Sequence, residues 1–137
     1  MINEQAVALV IVSKEKPRKF LLIKYNIYGQ KHWDFVKGKK EKERDTAKRE
    51  LKEETEIENF SYLLNSKKIK KYSYTKDTGE KVNKKVTYFL VEISNKEKII
   101  LSKEHSKFGW FDYNKANSLI KFENQKQILN EFYSKLI

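Results

Sequence analysis

The sequence predicts a mixed α/β (α+β) fold, a sheet of mixed strand direction held between helices. Three observations carry this: β-branched and aromatic runs come first, one Gly- and Pro-free stretch of helix formers follows, and apolar residues recur at helical spacing near the end. At 137 residues the chain has the length of one ordinary domain, so residues 1–137 are expected to fold as a single unit.

Residues 6–12 and 20–23 are short β-branched or leucine-rich runs, joined by a polar connection that holds the only proline, Pro17. They read as two strands of a hairpin. After Tyr25 a loop is expected through Gly29, then an alternating strand-like segment over residues 32–36 that stops at Lys37-Gly38. Residues 44–56 lack Gly and Pro and predict a helix. Residues 57–74 predict one or two strands, residues 76–79 a turn, and residues 86–93 a buried strand. A short strand over 108–111, a short helix over 113–120, and a last helix carrying Ile128, Leu129, Phe132, Tyr133 and Leu136 complete the order.

The composition sets limits on function. With 39% hydrophobic residues the chain can build a core, so its 36% charged residues belong on the surface rather than in a disordered segment. Absence of cysteine excludes disulfides, thiolate metal sites and a cysteine nucleophile, and it leaves His32 and His105 as the only nitrogen ligands, which argues against zinc. The longest apolar run is too short to span a bilayer, and the N-terminus lacks a signal-peptide layout. A cytoplasmic, monomeric protein without a membrane partner is therefore expected. The net charge of +11 attracts any polyanion, nucleotides and RNA included, although a Lys-, Ile- and Asn-rich composition also follows from AT-rich coding.

The stretch over residues 49–57 is the most informative. At about 100° per residue, Glu50, Glu53 and Glu54 fall in one narrow sector of the predicted helix. Three like charges on one face repel unless neutralised, either by Arg49, Lys48 and Lys52 or by a hard divalent cation with oxygen ligands. Mg2+ suits such a site, with Mn2+ as the second choice, because it takes one or two carboxylates, keeps several waters and bridges to substrate phosphates.

Arg49-Glu50-Leu51-Lys52-Glu53-Glu54-Thr55-Glu56-Ile57, together with Lys37-Gly38, resembles the box of the Nudix hydrolases: Gly, a spacer, Glu, a second spacer, then Arg-Glu-apolar-x-Glu-Glu-x-Gly-apolar. This chain departs from the pattern in three places. The loop between Gly38 and Arg49 is three residues short, Glu56 stands where the box has its second glycine, and Val36 stands where many relatives have proline. Either Glu41, by its spacing to Arg49, or Glu43, by its fit to the loop, takes the place of the first box glutamate. His32-Trp33-Asp34-Phe35, Val86-Thr87-Tyr88-Phe89-Leu90 and Leu101-Ser102-Lys103-Glu104-His105 with Phe108-Gly109-Trp110 extend the resemblance to the asymmetrical diadenosine tetraphosphate hydrolases. The resemblance implies a Nudix-type α/β/α sandwich and metal-dependent hydrolysis of pyrophosphate bonds in nucleoside polyphosphates. The most similar group would cut diadenosine tetraphosphate to ATP and AMP.

Site roles follow. Glu50, Glu53 and Glu54 would hold the metal, with Glu50 or Glu53 as the alternative choice for general base. Arg49 would orient the loop through a carboxylate pair. By resemblance, Glu104 would approach the metal from a distal loop. His32 would bond a phosphate or act as an acid, or simply pack beside Trp33. Lys37, at Gly38, would face the polyphosphate, with Lys39 and Lys40 adding charge. Tyr74, Tyr88 and Phe122 would stack an adenine or belong to the core. Two other functions compete: a second Nudix activity such as RNA 5′-pyrophosphate removal, and a catalytically poor nucleotide-binding regulator whose box has eroded.

Overall fold

The computed structural model describes residues 2–27, 30–39, 43–103 and 105–136. In order these form β1 (Ile2–Ser13), β2 (Phe20–Ile27), β3 (Gln30–Asp34), β4 (Val36–Lys39), α1 (Glu43–Thr55), β5 (Ser61–Thr75), β6 (Lys81–Ile93), β7 (His105–Phe111), α2 (Tyr113–Leu119) and α3 (Glu123–Leu136). The strands make one sheet with the path β3-β2-β1-β6-β5, to which β4 adds on β1 and β7 on β2. Only the β1–β6 pairing is parallel among these, so the sheet is mixed.

β1 explains how the sheet is buried on both faces. Its alternating side chains Val7, Leu9 and Ile11 pack into a cluster with Ala47 and Leu51 of α1. Ala8, Val10 and Val12 point the other way, into a cluster with Ala116 of α2 and Ile128, Leu129 and Phe132 of α3. A strand covered on both faces reads as a continuous apolar run, as residues 6–12 do. Truncating fully buried Leu51 to alanine should cost about 2–5 kcal/mol.

β1 also changes partners along its length. Ala6 to Leu9 pair with β4, whereas Ile11 and Val12 pair with β2. The sheet forks there, and the fork opens beside helix α1.

Most sequence expectations hold to within a few residues, with three informative differences. β1 and β2 form the expected antiparallel hairpin, but both run further, and the one or two strands expected over 57–74 are the single strand β5, which starts only at Ser61 and has a register shift between Tyr62 and Lys67. Tyr28 and Gly29, in the loop expected after Tyr25, lie outside the described residues. The alternating segment over 32–36 is two strands broken at Phe35. Its cause is local: the Phe35 N–H donates to the carboxylate of Asp34 at 2.8 Å, which removes it from the ladder. Residues 34 and 37 would sit on opposite faces of an unbroken strand, and the break lets them meet.

Helix α1 ends as the box comparison implied. Glu56 adopts φ +60 with its N–H on the Lys52 carbonyl at 2.8 Å. The last carbonyls of the helix accept from the next loop: Ser102 N–H donates to Glu54 O at 3.3 Å and Ile100 N–H to Thr55 O at 3.0 Å. Helix ends carry such unpaired carbonyls, and here they fix the loop that leads to His105.

Candidate active site

Two adjoining cavities open at the fork. The first, about 740 Å³, is lined by Glu50, Glu53 and Glu54 together with Ala6, Tyr25, Lys37, Gly38, Lys84, Ser102 and Lys103. The second, about 300 Å³, is lined by Asp34, Lys37, Tyr72, Lys84, Tyr88, Phe122, Asn124 and Gln125 among others. Lys37 and Lys84 belong to both, so an acidic wall and an aromatic slot share two lysines.

The three glutamates are brought together as their spacing predicts, in unlike environments. Glu53 has a side chain 59% exposed, Glu50 13% and Glu54 8%. Arg49 ties the first two together, its Nη2 at 3.0 Å from Glu50 Oε1 and its Nε at 3.8 Å from Glu53 Oε1. Of the two contacts, the closer is to Glu50. Gly38 makes room for that carboxylate, since a Cβ built there would stand 2.0 Å from Glu50 Cδ. The glycine is therefore required by the close approach of a glutamate, not by its own backbone.

Glu54 is fixed by a row of rings that the sequence did not reveal. Tyr25 is in register with His32 on β3 and His105 on β7. His32 stacks on Tyr25 at 5.4 Å between centroids, and His105 meets it edge-on at 4.4 Å. His105 Nε2 lies 3.7 Å from Glu54 Oε1, with its Nδ1 2.8 Å from Ser102 Oγ. The Tyr25 hydroxyl donates to Phe35 O at 2.8 Å and lies 3.4 Å from Glu54 Oε2. Burial, then the charges of Glu54 and Asp34, push the Tyr25 pKa well above its ordinary value, so it stays a neutral donor.

The remaining predicted residues fall as follows. His32 lines neither cavity and bridges them as a ring, stacked on Tyr25 and edge-on to Phe122 at 5.8 Å. Burial lowers its pKa, only partly opposed by Asp34, so it is neutral at pH 7. Tyr88 is buried and lines the second cavity, its hydroxyl donating to Gln125 Oε1, so it serves core and cavity together. Phe122 is 47% exposed at the mouth of the slot. Tyr74 lines neither cavity; its hydroxyl donates to Glu4 Oε1 at 2.6 Å, and Tyr72, two residues earlier, lines the slot instead. Lys40, Glu41 and Glu104 lie outside the described residues, and Lys39 and Glu43 are described as backbone alone.

Sequence reasoning missed Asp34, Tyr72, Lys84, Asn124 and Gln125 as lining residues. Lys84 carried a signal: it alternates with Val86 and Tyr88 on one face of β6, a lysine at the end of an otherwise apolar face. The others are joined only by the fold.

A divalent cation fits the acidic wall by donor chemistry. Three carboxylates edge one cavity, without sulfur donors, and Gly38 lets one of them, Glu50, approach β4 closely. Among the described residues no three acidic or histidine side chains are grouped closely enough to hold a metal ion by themselves.

Residues 3–133 match the NUDIX domain family, and the chain belongs to it. It is an enzyme of the class that acts on pyrophosphate bonds, and Nudix hydrolases generally use divalent metals. Bis(5′-nucleosyl)-tetraphosphatase [asymmetrical] of Rattus norvegicus is 32% identical over 117 residues, 82% of this chain and 77% of the relative. The crystal structure of a C. elegans Ap4A hydrolase binary complex superposes with a TM-score of 0.82 at 27% identity, covering 97% of each chain. The E. coli dihydroneopterin triphosphate pyrophosphohydrolase shares the fold at 17% identity, with a TM-score of 0.75 over 96% of this chain and 97% of its own. None of the described helices is long and apolar enough to cross a membrane.

Proposed function

We propose that this chain, acting as one cytoplasmic Nudix domain, hydrolyses dinucleoside polyphosphates and cuts diadenosine tetraphosphate asymmetrically to ATP and AMP. The observation that carries the reading is the continuity of the two cavities. A wall of carboxylates suited to a metal adjoins, through Lys37 and Lys84, an aromatic slot suited to a nucleoside.

Glu50, Glu53 and Glu54 are the residues that would hold Mg2+, or Mn2+ in its place. The bound ion would polarise the phosphoryl oxygens and make water a better nucleophile. Glu54, held by its ring contacts, keeps a fixed carboxylate, which suits a ligand. Glu53, the most exposed of the three, would take the proton from the attacking water in place of ligating the ion. A new water-oxygen to phosphorus bond forms as the bridging phosphoanhydride P–O bond breaks, and the electron pair leaves on the departing phosphate. Lys37 and Lys84 offset the charge along the chain of phosphates between the cavities. Tyr72 and Phe122 stack one adenine, a contact worth about 1–3 kcal/mol per base. Asn124, at the start of α3, lines the same slot beside them.

Product analysis on diadenosine tetraphosphate with Mg2+ tests this. ATP and AMP in equal amounts are expected; ADP alone would mean symmetrical cleavage. Failure to cut the dinucleotide, with nucleotide binding intact, would favour the eroded regulator.

A further inference from the structure

The break at Phe35 brings together a buried polar chain that joins the nucleoside slot to the lysine at the junction of the cavities. Asp34 is completely buried. Its Oδ1 accepts from Phe35 N–H and from Gln125 Nε2, both at 2.8 Å, and its Oδ2 accepts from Lys37 Nζ at 2.9 Å. Gln125 is itself bridged, since its Oε1 accepts from the Tyr88 hydroxyl. On its other side the Lys37 ammonium sits over the Tyr25 ring, 5.6 Å from the centroid.

Every polar atom in this chain has one assignment that satisfies its neighbours. Lys37 needs an acceptor and Asp34 supplies it. Gln125 must then turn its amide nitrogen to Asp34, which leaves its oxygen for the hydroxyl of Tyr88. A long lysine side chain at a cleft mouth normally samples many rotamers, whereas one bound to a carboxylate that cannot move is held in place before substrate arrives.

We propose that Asp34 and Gln125 are positioning residues for the reaction, which fix Lys37 at the junction and couple the first turn of α3, where the nucleoside binds, to the grip on the polyphosphate. The proposal rests on the nucleotide reading of the two cavities. Asn124, Gln125 and the preceding Phe122 line the slot, so a base seated there presses on the same turn that holds the Asp34 carboxylate. Asp34, itself fully buried, acts on the polyphosphate through Lys37, and this distinguishes it from a residue that merely supports the fold.

The test is a double-mutant cycle of Asp34→Asn and Lys37→Gln. Asparagine keeps the shape and the acceptor for Phe35 N–H while removing the charge that holds Lys37. Substrate KM is expected to rise about tenfold in each single variant with a smaller change in kcat, and the double variant should be no worse than Lys37→Gln alone. Additive KM effects in the double variant would overturn the proposal, as would an unchanged KM in Asp34→Asn. If Asp34→Asn lowers the melting temperature steeply, Gln125→Ala supplies the second readout. It leaves the Asp34–Lys37 pair itself intact and should raise KM at least threefold, and an unchanged KM there would remove the coupling to α3. Binding of ATP without divalent metal, measured on the same proteins, separates the two levels of the argument. A wild-type protein that binds no ATP refutes the nucleotide reading, whereas wild-type binding equal to that of Asp34→Asn refutes the positioning role.

Discussion

The two walls of the cleft are built in opposite ways. The acidic wall comes from one stretch of chain: Glu50, Glu53 and Glu54 lie within two turns of α1, and helical periodicity alone puts them on one side. The aromatic and basic wall comes from four places, with Asp34 and Lys37 on the broken β3–β4 segment, Tyr72 on β5, Lys84 and Tyr88 on β6, and Phe122 and Gln125 at α3. A wall carried by local periodicity can be read from sequence, whereas one that depends on sheet register cannot. They should also fail differently, the acidic wall through kcat and the assembled wall through KM.

The largest expected effect is on the acidic wall. Glu53→Gln and Glu54→Gln should each lower kcat by about 100-fold or more, because each removes a charge needed to hold the ion or accept the proton. Their stabilities should separate. Glu53 is exposed and its loss should leave the melting temperature unchanged, whereas Glu54 is buried against Tyr25 and His105 and its replacement should lower it. Steady-state kinetics with thermal melts would check both, and wild-type kcat in both variants would remove the carboxylates from the chemistry.

Gly38→Ala probes the same wall from its opposite side. The added Cβ falls 2.1 Å from Glu50 Oε1, and the side chain that must give way is flexible, so Glu50 should swing out while the fold persists. A fall in kcat of roughly tenfold with little change in melting temperature is expected, given how strongly such chemistry depends on ångström-scale placement.

The assembled wall should respond in KM. Tyr72→Ala and Phe122→Ala should each raise KM about tenfold or more at near-constant kcat, through lost base stacking. Tyr74→Ala, at a residue that lines neither cavity, should leave KM as it was. Equal effects at Tyr72 and Tyr74 would mean that the register of β5 does not decide which ring meets the substrate.

This contrast shows what the sequence carried. The element order, the α1 carboxylates, the box glycine Gly38 and the left-handed Glu56 were legible, because each depends on neighbours within about one helical turn or on a motif of fixed spacing. The choice between Tyr72 and Tyr74 was not, since adjacent aromatic residues on one strand face look alike until the strand is paired. Asp34 was hidden for a different reason. It reads as one polar position in an alternating strand, yet its carboxylate takes the Phe35 N–H, breaks that strand and creates the contact with Lys37. A side chain that remakes the local backbone defeats a reading based on periodicity.

The smallest effect concerns the end of the acidic helix. Glu56 occupies the left-handed region at φ +60, directly after Thr55, where a helix terminus favours glycine and a side chain costs about 1 kcal/mol. Its side chain is exposed, so little packing is lost on its removal. Against that gain stands the greater freedom of glycine in the unfolded chain, which opposes stabilisation at ordinary φ but is outweighed where the folded backbone is strained. Glu56→Gly should therefore raise the melting temperature by about 3 °C, with kcat unchanged because the helix it closes keeps Glu50, Glu53 and Glu54 in place. The loops that cap Thr55 O and Glu54 O through Ile100 and Ser102 hold this terminus independently of residue 56. A lower melting temperature in Glu56→Gly, measured at equal metal concentration, would mean that the helix ends in solution without its left-handed turn and that the placement of Ile100 and Ser102 against the helix end must be redrawn.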